Sequence, residues 1–100
     1  MKSFDEIISE SRPTVVDFFA SWCGPCARQM PIIDNFKEKM GDKVNVIKVD
    51  IDQETELASR YHIQSVPTIM IFKNGELMWR ASGLQTHTDL MMAVNGVEWR

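Results

Sequence analysis

Apolar residues recur along the chain at two spacings, and the switches between them outline its elements. Over "SFDEIISESR" (3–12), Phe4, Ile7 and Ile8 fall on one helical face. Ser3 precedes them with Glu6 three residues on, the pattern of a capping box. "PTVVDFFA" (13–20) is a β-branched and aromatic run, apolar on both faces except at Asp17. Such a run predicts a central strand covered on both sides. In "CARQMPIIDNFKEKM" (26–40), Ala27, Met30, Ile33, Phe36 and Met40 return at helical spacing, and Gly41 supplies the stop. Pro31 lies inside this run; it lacks an N–H and is expected to kink the helix.

"VNVIKVDI" (44–51) is a second strand, followed by the acidic loop "DIDQE". "ETELASRYHI" (54–63) is a short helix with Leu57 and Tyr61 four apart. "TIMIFK" and "ELMWRAS" flank Asn74-Gly75, a strong signal for an antiparallel hairpin. "THTDLMMAVNGVEWR" (86–100) closes the chain as a helix capped by Thr86 or Thr88, with Leu90, Met91 and Val94 inward. The order α-β-α-β-α-β-β-α contains strand-helix-strand units, which cross over right-handed between parallel strands; the hairpin adds an antiparallel edge. The expected fold class is α/β, a three-layer α/β/α arrangement around a mixed sheet.

A chain of 100 residues suits one domain spanning 1–100. Its net charge of -3 argues against a nucleic-acid or anionic-membrane partner. No run approaches the roughly 20 apolar residues of a bilayer span. "MKSFDEII" lacks the apolar core of a signal peptide, so a cytoplasmic location is expected.

The two cysteines, Cys23 and Cys26, carry the chemistry. Cys23 falls at the predicted junction of strand and helix. Unpaired N–H groups and the helix dipole there favour an anion, which lowers the thiol pKa from its ordinary value of about 8.5. Cys26 lies one turn on. A disulfide closing so short a loop adds little to stability, so the pair makes a poor staple and a good switch. Gly24 allows another chain to approach, and Pro25 presets φ for the first turn. Two other readings compete. A metal site would need four ligands, and His62 and His87 do not complete a zinc spacing. Inert core cysteines sit poorly beside Trp22, Gly24 and Pro25, which suit an exposed turn.

"VDFFASWCGPC", with "KVDIDQE", "SVPTIMIFKNGE" and "SGL", closely resembles the thioredoxin family from about Ser3 to the end. The resemblance implies that fold and protein-disulfide reductase activity. It implies no bound cofactor, and recycling of the Cys23-Cys26 disulfide by a flavin- and NADPH-dependent thioredoxin reductase. Partners would be proteins bearing disulfides, met by a monomer. Cys23 resembles the attacking cysteine and Cys26 the resolving one. Asp17 resembles the buried acid beneath them, and Lys48 the lysine near that acid. Pro67 resembles the cis-proline facing the cysteines. Trp22, Gly24, Pro25, Val66 and Gly83 resemble the apolar rim that holds the substrate chain.

Three departures stand out. Only "MK" precedes Ser3 where the family begins with a further strand, so four strands are expected, with "VNVIKV" as an exposed edge. Phe19 replaces a common tryptophan, and Ser65 replaces a common glycine before Val66. A carboxylate between "VV" and "FF" is poorly solvated, so the pKa of Asp17 should rise toward that of the thiol it would deprotonate, with Lys48 moderating the shift by pairing with it. The rival function is a thioredoxin-shaped binding or chaperone subunit whose thiols are dispensable.

Overall fold

A computed structural model describes residues 2–98. The elements are α1 (Phe4–Ile8), β1 (Thr14–Phe19), α2 (Gly24–Met40), a single 3-10 turn (Gly41–Lys43), β2 (Asn45–Asp50), α3 (Thr55–Arg60), β3 (Thr68–Lys73), β4 (Glu76–Ser82) and α4 (His87–Glu98). The predicted order holds; α1 and α3 are shorter than their apolar patterns imply. Residues 99 and 100 of the predicted C-terminal helix lie outside the described residues.

The four strands lie in the order β2-β1-β3-β4. β1 runs parallel to β2 and antiparallel to β3, and β3 is antiparallel to β4. Alternation along the strands sorts the core. Val15, Ile69 and Ile71 pack with Ile33 and Phe36 of α2 and Leu90, Val94 and Val97 of α4. Val16, Phe18, Met70 and Phe72 point the other way, against Ile8 of α1, Leu57 of α3 and Tyr61. The result is the three-layer α/β/α arrangement that the sequence predicts, with β1 central and β2 an edge.

Local chemistry explains the boundaries. Ser3 Oγ accepts from the Glu6 N–H, and the Glu6 carboxylate accepts from the Ser3 N–H. Thr86 and Asp89 make the same reciprocal pair ahead of α4. Asn74 and Gly75 both take positive φ, 54° and 81°, as a two-residue hairpin turn requires. The turn is fixed to the end of α1, where Asn74 N–H donates to Glu10 O and Gly75 N–H to Ile8 O, each at 2.9 Å.

Two apolar stripes differ from expectation. On α2 the buried residues are Cys26, Gln29, Ile33 and Phe36, while Ala27 is exposed and Met30 half-buried. The inward face is set by Ile33 and Phe36, and counting back in turns from them leads to Gln29 and Cys26. On α4 the inward set is Leu90, Val94 and Val97; Met91 is 39% exposed, because 90, 94 and 97 hold one face and 91 lies a quarter-turn away. α2 runs unbroken through Pro31, an exposed residue that cannot donate the usual N–H to the Ala27 carbonyl.

Phe36 is fully buried where α2 meets the sheet and α4. Phe36→Ala should therefore lower stability by about 3–5 kcal/mol, read as an earlier urea midpoint with native-like circular dichroism at zero urea. A loss below about 1 kcal/mol would show that the core does not close around this ring.

Candidate functional site

The registers bring four chain segments to one end of the sheet. β1 and β2 finish there at Phe19 and Asp50, β3 begins there at Thr68, and β4 ends there at Ser82, opposite Thr68. Residues just beyond those ends form the site.

Cys23 follows β1 across a short turn in which its N–H donates to Ala20 O. It is the N-cap of α2, extended at φ -97° and ψ 116°, and its Sγ accepts the Cys26 N–H at 3.2 Å. A sulfur thus occupies the place of a capping oxygen, where partial positive charge collects. Cys23 and Cys26 are joined as a disulfide with Cα atoms 5.2 Å apart. Cys23 keeps 8% of its surface exposed and Cys26 2%. That asymmetry leaves Cys23 the more accessible residue of the two. Gly24 and Pro25 are exposed, and Pro25 falls in the first turn, where a missing N–H costs nothing.

The opposite wall is the Val66–Pro67 segment, whose peptide bond is cis. The Val66 carbonyl oxygen lies 3.5 Å from Cys23 Sγ. Thr68 Oγ1 donates to Ser65 O and steadies the segment. Gly83 N–H donates to Pro67 O at 2.8 Å, which sets Gly83 beside the proline. Its φ of +90° disfavours any side chain, although a Cβ there would meet no atom within 4 Å. Trp22, 70% exposed, completes the rim; its indole N–H donates to Asp52 Oδ2 at 2.9 Å. Pro67 and the five rim residues named from sequence thus lie around one end of the disulfide. A recess of about 190 Å³ lined by Phe19, Ala20, Ser21, Ala27 and Met30 abuts both cysteines.

Asp17 lies deeper on β1, on the face that α2 covers. It is fully buried, and neither carboxylate oxygen has a hydrogen-bond partner among the described residues. Burial pushes its pKa from 3.8 up to about 6; the positive charge of Lys48 pulls it down and the negative charge of Asp34 pushes it further up. Lys48 is the strand neighbour of Asp17, as β1–β2 register requires, but the expected pairing between them is not formed. Its Nζ instead binds Asp34 Oδ1 on α2. The physical reason is solvation: Lys48 keeps its ammonium at the wet edge by leaning outward, where Asp34 also stands.

Sequence reasoning missed three contributors. Gln29 is fully buried, and its amide bonds twice to the Gln85 main chain. Its spacing from Cys26, Ile33 and Phe36 carried the signal, since it is the one polar residue in an inward stripe. Asp52 and Asp34 gave no signal, because their partners come from distant segments. Among the described residues no group of three His, Cys, Asp or Glu side chains is placed to hold a metal, and no helix is long and apolar enough to cross a membrane.

A capped, nearly buried disulfide at a helix start, facing a cis-proline, is the site of a dithiol oxidoreductase on an α/β sheet. The sequence matches the Thioredoxin family model over residues 1–96, and the chain belongs to the thioredoxin family. It is 44% identical over 91 residues to a thioredoxin of Rickettsia prowazekii, covering 91% of this chain and 87% of that one. It is 43% identical over 93 residues to the chloroplastic thioredoxin Y of Oryza sativa, covering 92% of this chain and 55% of the rice protein. The solved thioredoxin of Malassezia sympodialis superposes with a TM-score of 0.85 at 32% identity, covering 93% of this chain and 83% of that one. The protein is accordingly a thiol-disulfide oxidoreductase acting on protein disulfides.

The buried acid has a measurable consequence. The folded state holds the Asp17 proton between pH 3.8 and about 6, where an unfolded chain has released it. Stability therefore falls as pH rises from about 4 to about 6 and stays at the lower level above, a loss of about 3 kcal/mol. The depressed carboxyl of Glu10, at about 2, acts below about pH 4.5 and so outside a comparison of pH 5 with pH 8. Asp17→Asn should raise the urea midpoint of the oxidised protein at pH 8 and remove the pH 5 to pH 8 difference. Equal midpoints for wild type and variant at pH 8 would show that the carboxyl is solvated.

Proposed function

We propose that Cys23 is the attacking thiol, Cys26 the resolving thiol and Asp17 the base that serves Cys26. In the reduced protein the Cys23 thiolate attacks one sulfur of a partner's disulfide. One S–S bond breaks as the mixed disulfide forms, and the departing sulfur leaves as thiolate. Cys26 then gives up its proton to Asp17, directly or through water, and its thiolate attacks Cys23 Sγ. The partner's second sulfur departs, and the Cys23-Cys26 disulfide is left behind. Two electrons have passed to the substrate.

The observation that carries this reading is the unpaired, fully buried Asp17 carboxyl on the face beneath α2. A carboxyl near 6 is protonated and deprotonated readily at neutral pH, which suits a group that must accept a proton from a buried thiol. Lys48 tunes that acid through charge, across the strand pair and without a hydrogen bond. The substrate chain would lie extended over Val66 and Pro67, between Trp22, Gly24 and Pro25 on one side and Gly83 on the other. It would bond to the backbone there as a short added strand.

The finer assignments follow from the same reading. Residues 1–100 act as one domain and as a monomer. The protein works as an electron carrier in a reducing compartment, the cytoplasm, where thiols stay reduced. An NADPH-dependent thioredoxin reductase returns the disulfide to the dithiol. The Gly-Pro pair between the cysteines lacks the basic or histidine residues that would further stabilise the thiolate, which favours a reductant; a potential of about -270 mV supports that reading and one of about -120 mV points to an oxidant.

An insulin-disulfide reduction assay with dithiothreitol tests the cysteines. Cys23→Ser should abolish acceleration over dithiothreitol alone; wild-type rates in that variant would remove the proposal. Stopped-flow resolution of a mixed disulfide tests the acid. Asp17→Asn should slow release about 10- to 100-fold at pH 7 while leaving the initial attack within about twofold. Unchanged release would show that another group takes the Cys26 proton.

A further inference from the structure

Gln29 has no part in the sulfur chemistry, yet it is a fully buried polar side chain one turn beyond Cys26 on the same helix face. A buried amide is costly unless both ends are bonded. Here both are, and to a single residue. Its Nε2 donates to Gln85 O at 2.9 Å, and its Oε1 accepts from Gln85 N–H at 2.8 Å. The side chain thus pairs with a main-chain segment as a neighbouring strand would.

The clamped segment matters because of what lies next to it. Gln85 follows Gly83 and Leu84, which leave β4 at the site. The Gln85 side-chain amide donates to Gly83 O at 3.2 Å, and Gly83 N–H donates to Pro67 O. A continuous set of hydrogen bonds therefore runs from α2, which carries both cysteines, through Gln85 and Gly83 to Pro67. The two bonds to Gln29 and the one to Pro67 tie the main chain of 83–85 to elements outside it. With Gln85 held inward, Leu84 stands outward, 42% exposed beside the groove.

We infer that Gln29 is a positioning residue for protein substrates: by clamping Gln85 it fixes the Gly83-Leu84 wall against the helix that carries Cys23, and so sets the width of the groove that receives an extended peptide around its disulfide. This rests on the reading that protein disulfides are the substrates. The groove wall concerns only ligands long enough to reach it. A small aromatic disulfide meets Cys23 Sγ without contacting Gly83 or Leu84. Gln29 thereby separates recognition of a polypeptide from the reactivity of the sulfur itself.

The test compares two substrates in the full-length protein. Gln29→Met keeps a similar volume and removes both bonds. KM for insulin disulfides should rise about five- to tenfold, as expected for the loss of two hydrogen bonds that hold the wall, with kcat within about twofold. The second-order rate with 5,5′-dithiobis(2-nitrobenzoate) should stay within about twofold of wild type. The Gly83 N–H, bonded to Pro67 O, should lose hydrogen-exchange protection by about tenfold, while amides of β1 keep theirs. Gln85→Ala, a change at a half-buried site that leaves the Gln29 bonds intact, should raise KM in the same direction by about twofold and keeps the question open to test if Gln29→Met folds poorly. Equal losses on insulin and on the small disulfide would assign Gln29 to general stability or to sulfur chemistry and overturn the inference. Unchanged KM with unchanged Gly83 protection would overturn it as well. A wild-type protein that reduces the small disulfide and no insulin would instead defeat the reading on which it rests.

Discussion

The first turn of α2 begins with backbone N–H groups that no carbonyl of the helix can reach, and the Cys23 sulfur takes the one belonging to Cys26. The rest of the site is arranged around that contact. It places the sulfur at the positive end of a seventeen-residue helix. It also turns the chain so that Cys26 follows inside the helix, a nearly buried cysteine backed by a more deeply buried one. The mixed sheet then brings the other walls to the same place. β1 and β2 end there, β3 begins there and β4 returns there, so the helix start, the cis-proline and Gly83 meet without any long loop. A fold that joins parallel and antiparallel strands at one centre is what allows four distant segments to share one edge.

Asp17 is the energetic exception within that frame. An apolar residue at its position would serve the core better, since a buried unpaired carboxyl destabilises the fold when it ionises. Lys48 is near enough to relieve the strain by charge, yet it bonds to Asp34. Had it bonded to Asp17, the acid would be held ionised and weakly basic. Its absence from that pairing leaves a carboxyl whose proton affinity stays close to neutrality. The same ion pair joins β2 to α2 at the surface, where such a contact is worth at most about 1 kcal/mol. Its effect on the acid is therefore of more consequence than its contribution to stability.

How far these features could be read from sequence follows from how local their causes are. The capping pair of Ser3 and Glu6, the Asn74-Gly75 turn and the apolar run around Asp17 are each set by residues within a few positions, and each appears as predicted. The cysteines and the rim were legible because "WCGPC" and "SVPT" are dense, specific strings. What escaped depended on partners far away in the chain. The Gln29 contact spans 56 positions, and the bond from Trp22 to Asp52 spans 30. The phase of α2 was misjudged for a related reason. Ala27 and Met30 extend an apolar stripe on paper, but the sheet packs against Ile33 and Phe36, and that choice rotates Cys26 and Gln29 inward.

β2 is an open edge among the described residues, and that edge bears on stability more than on chemistry. The sulfurs, the acid and the rim come from β1, β3, β4, α2 or the loops that join them; β2 contributes Lys48 and, just beyond its end, Asp52. The open edge therefore leaves the sulfur, the acid and the rim where they are. It does leave one side of β2 without a partner, a surface that invites pairing with other chains. The protein answers with charge. Glu10 accepts bonds from Lys2, Arg12 and Asn45 at one end of that edge, and Lys48 with Asp34 stands at its middle. α1 is held in place from elsewhere, through the hairpin turn at Asn74 and Gly75 and the contacts of Phe4 with Tyr61 and Phe72. The sheet thus tolerates an open edge because neither the helix beside it nor the site at its end depends on a further strand for its position.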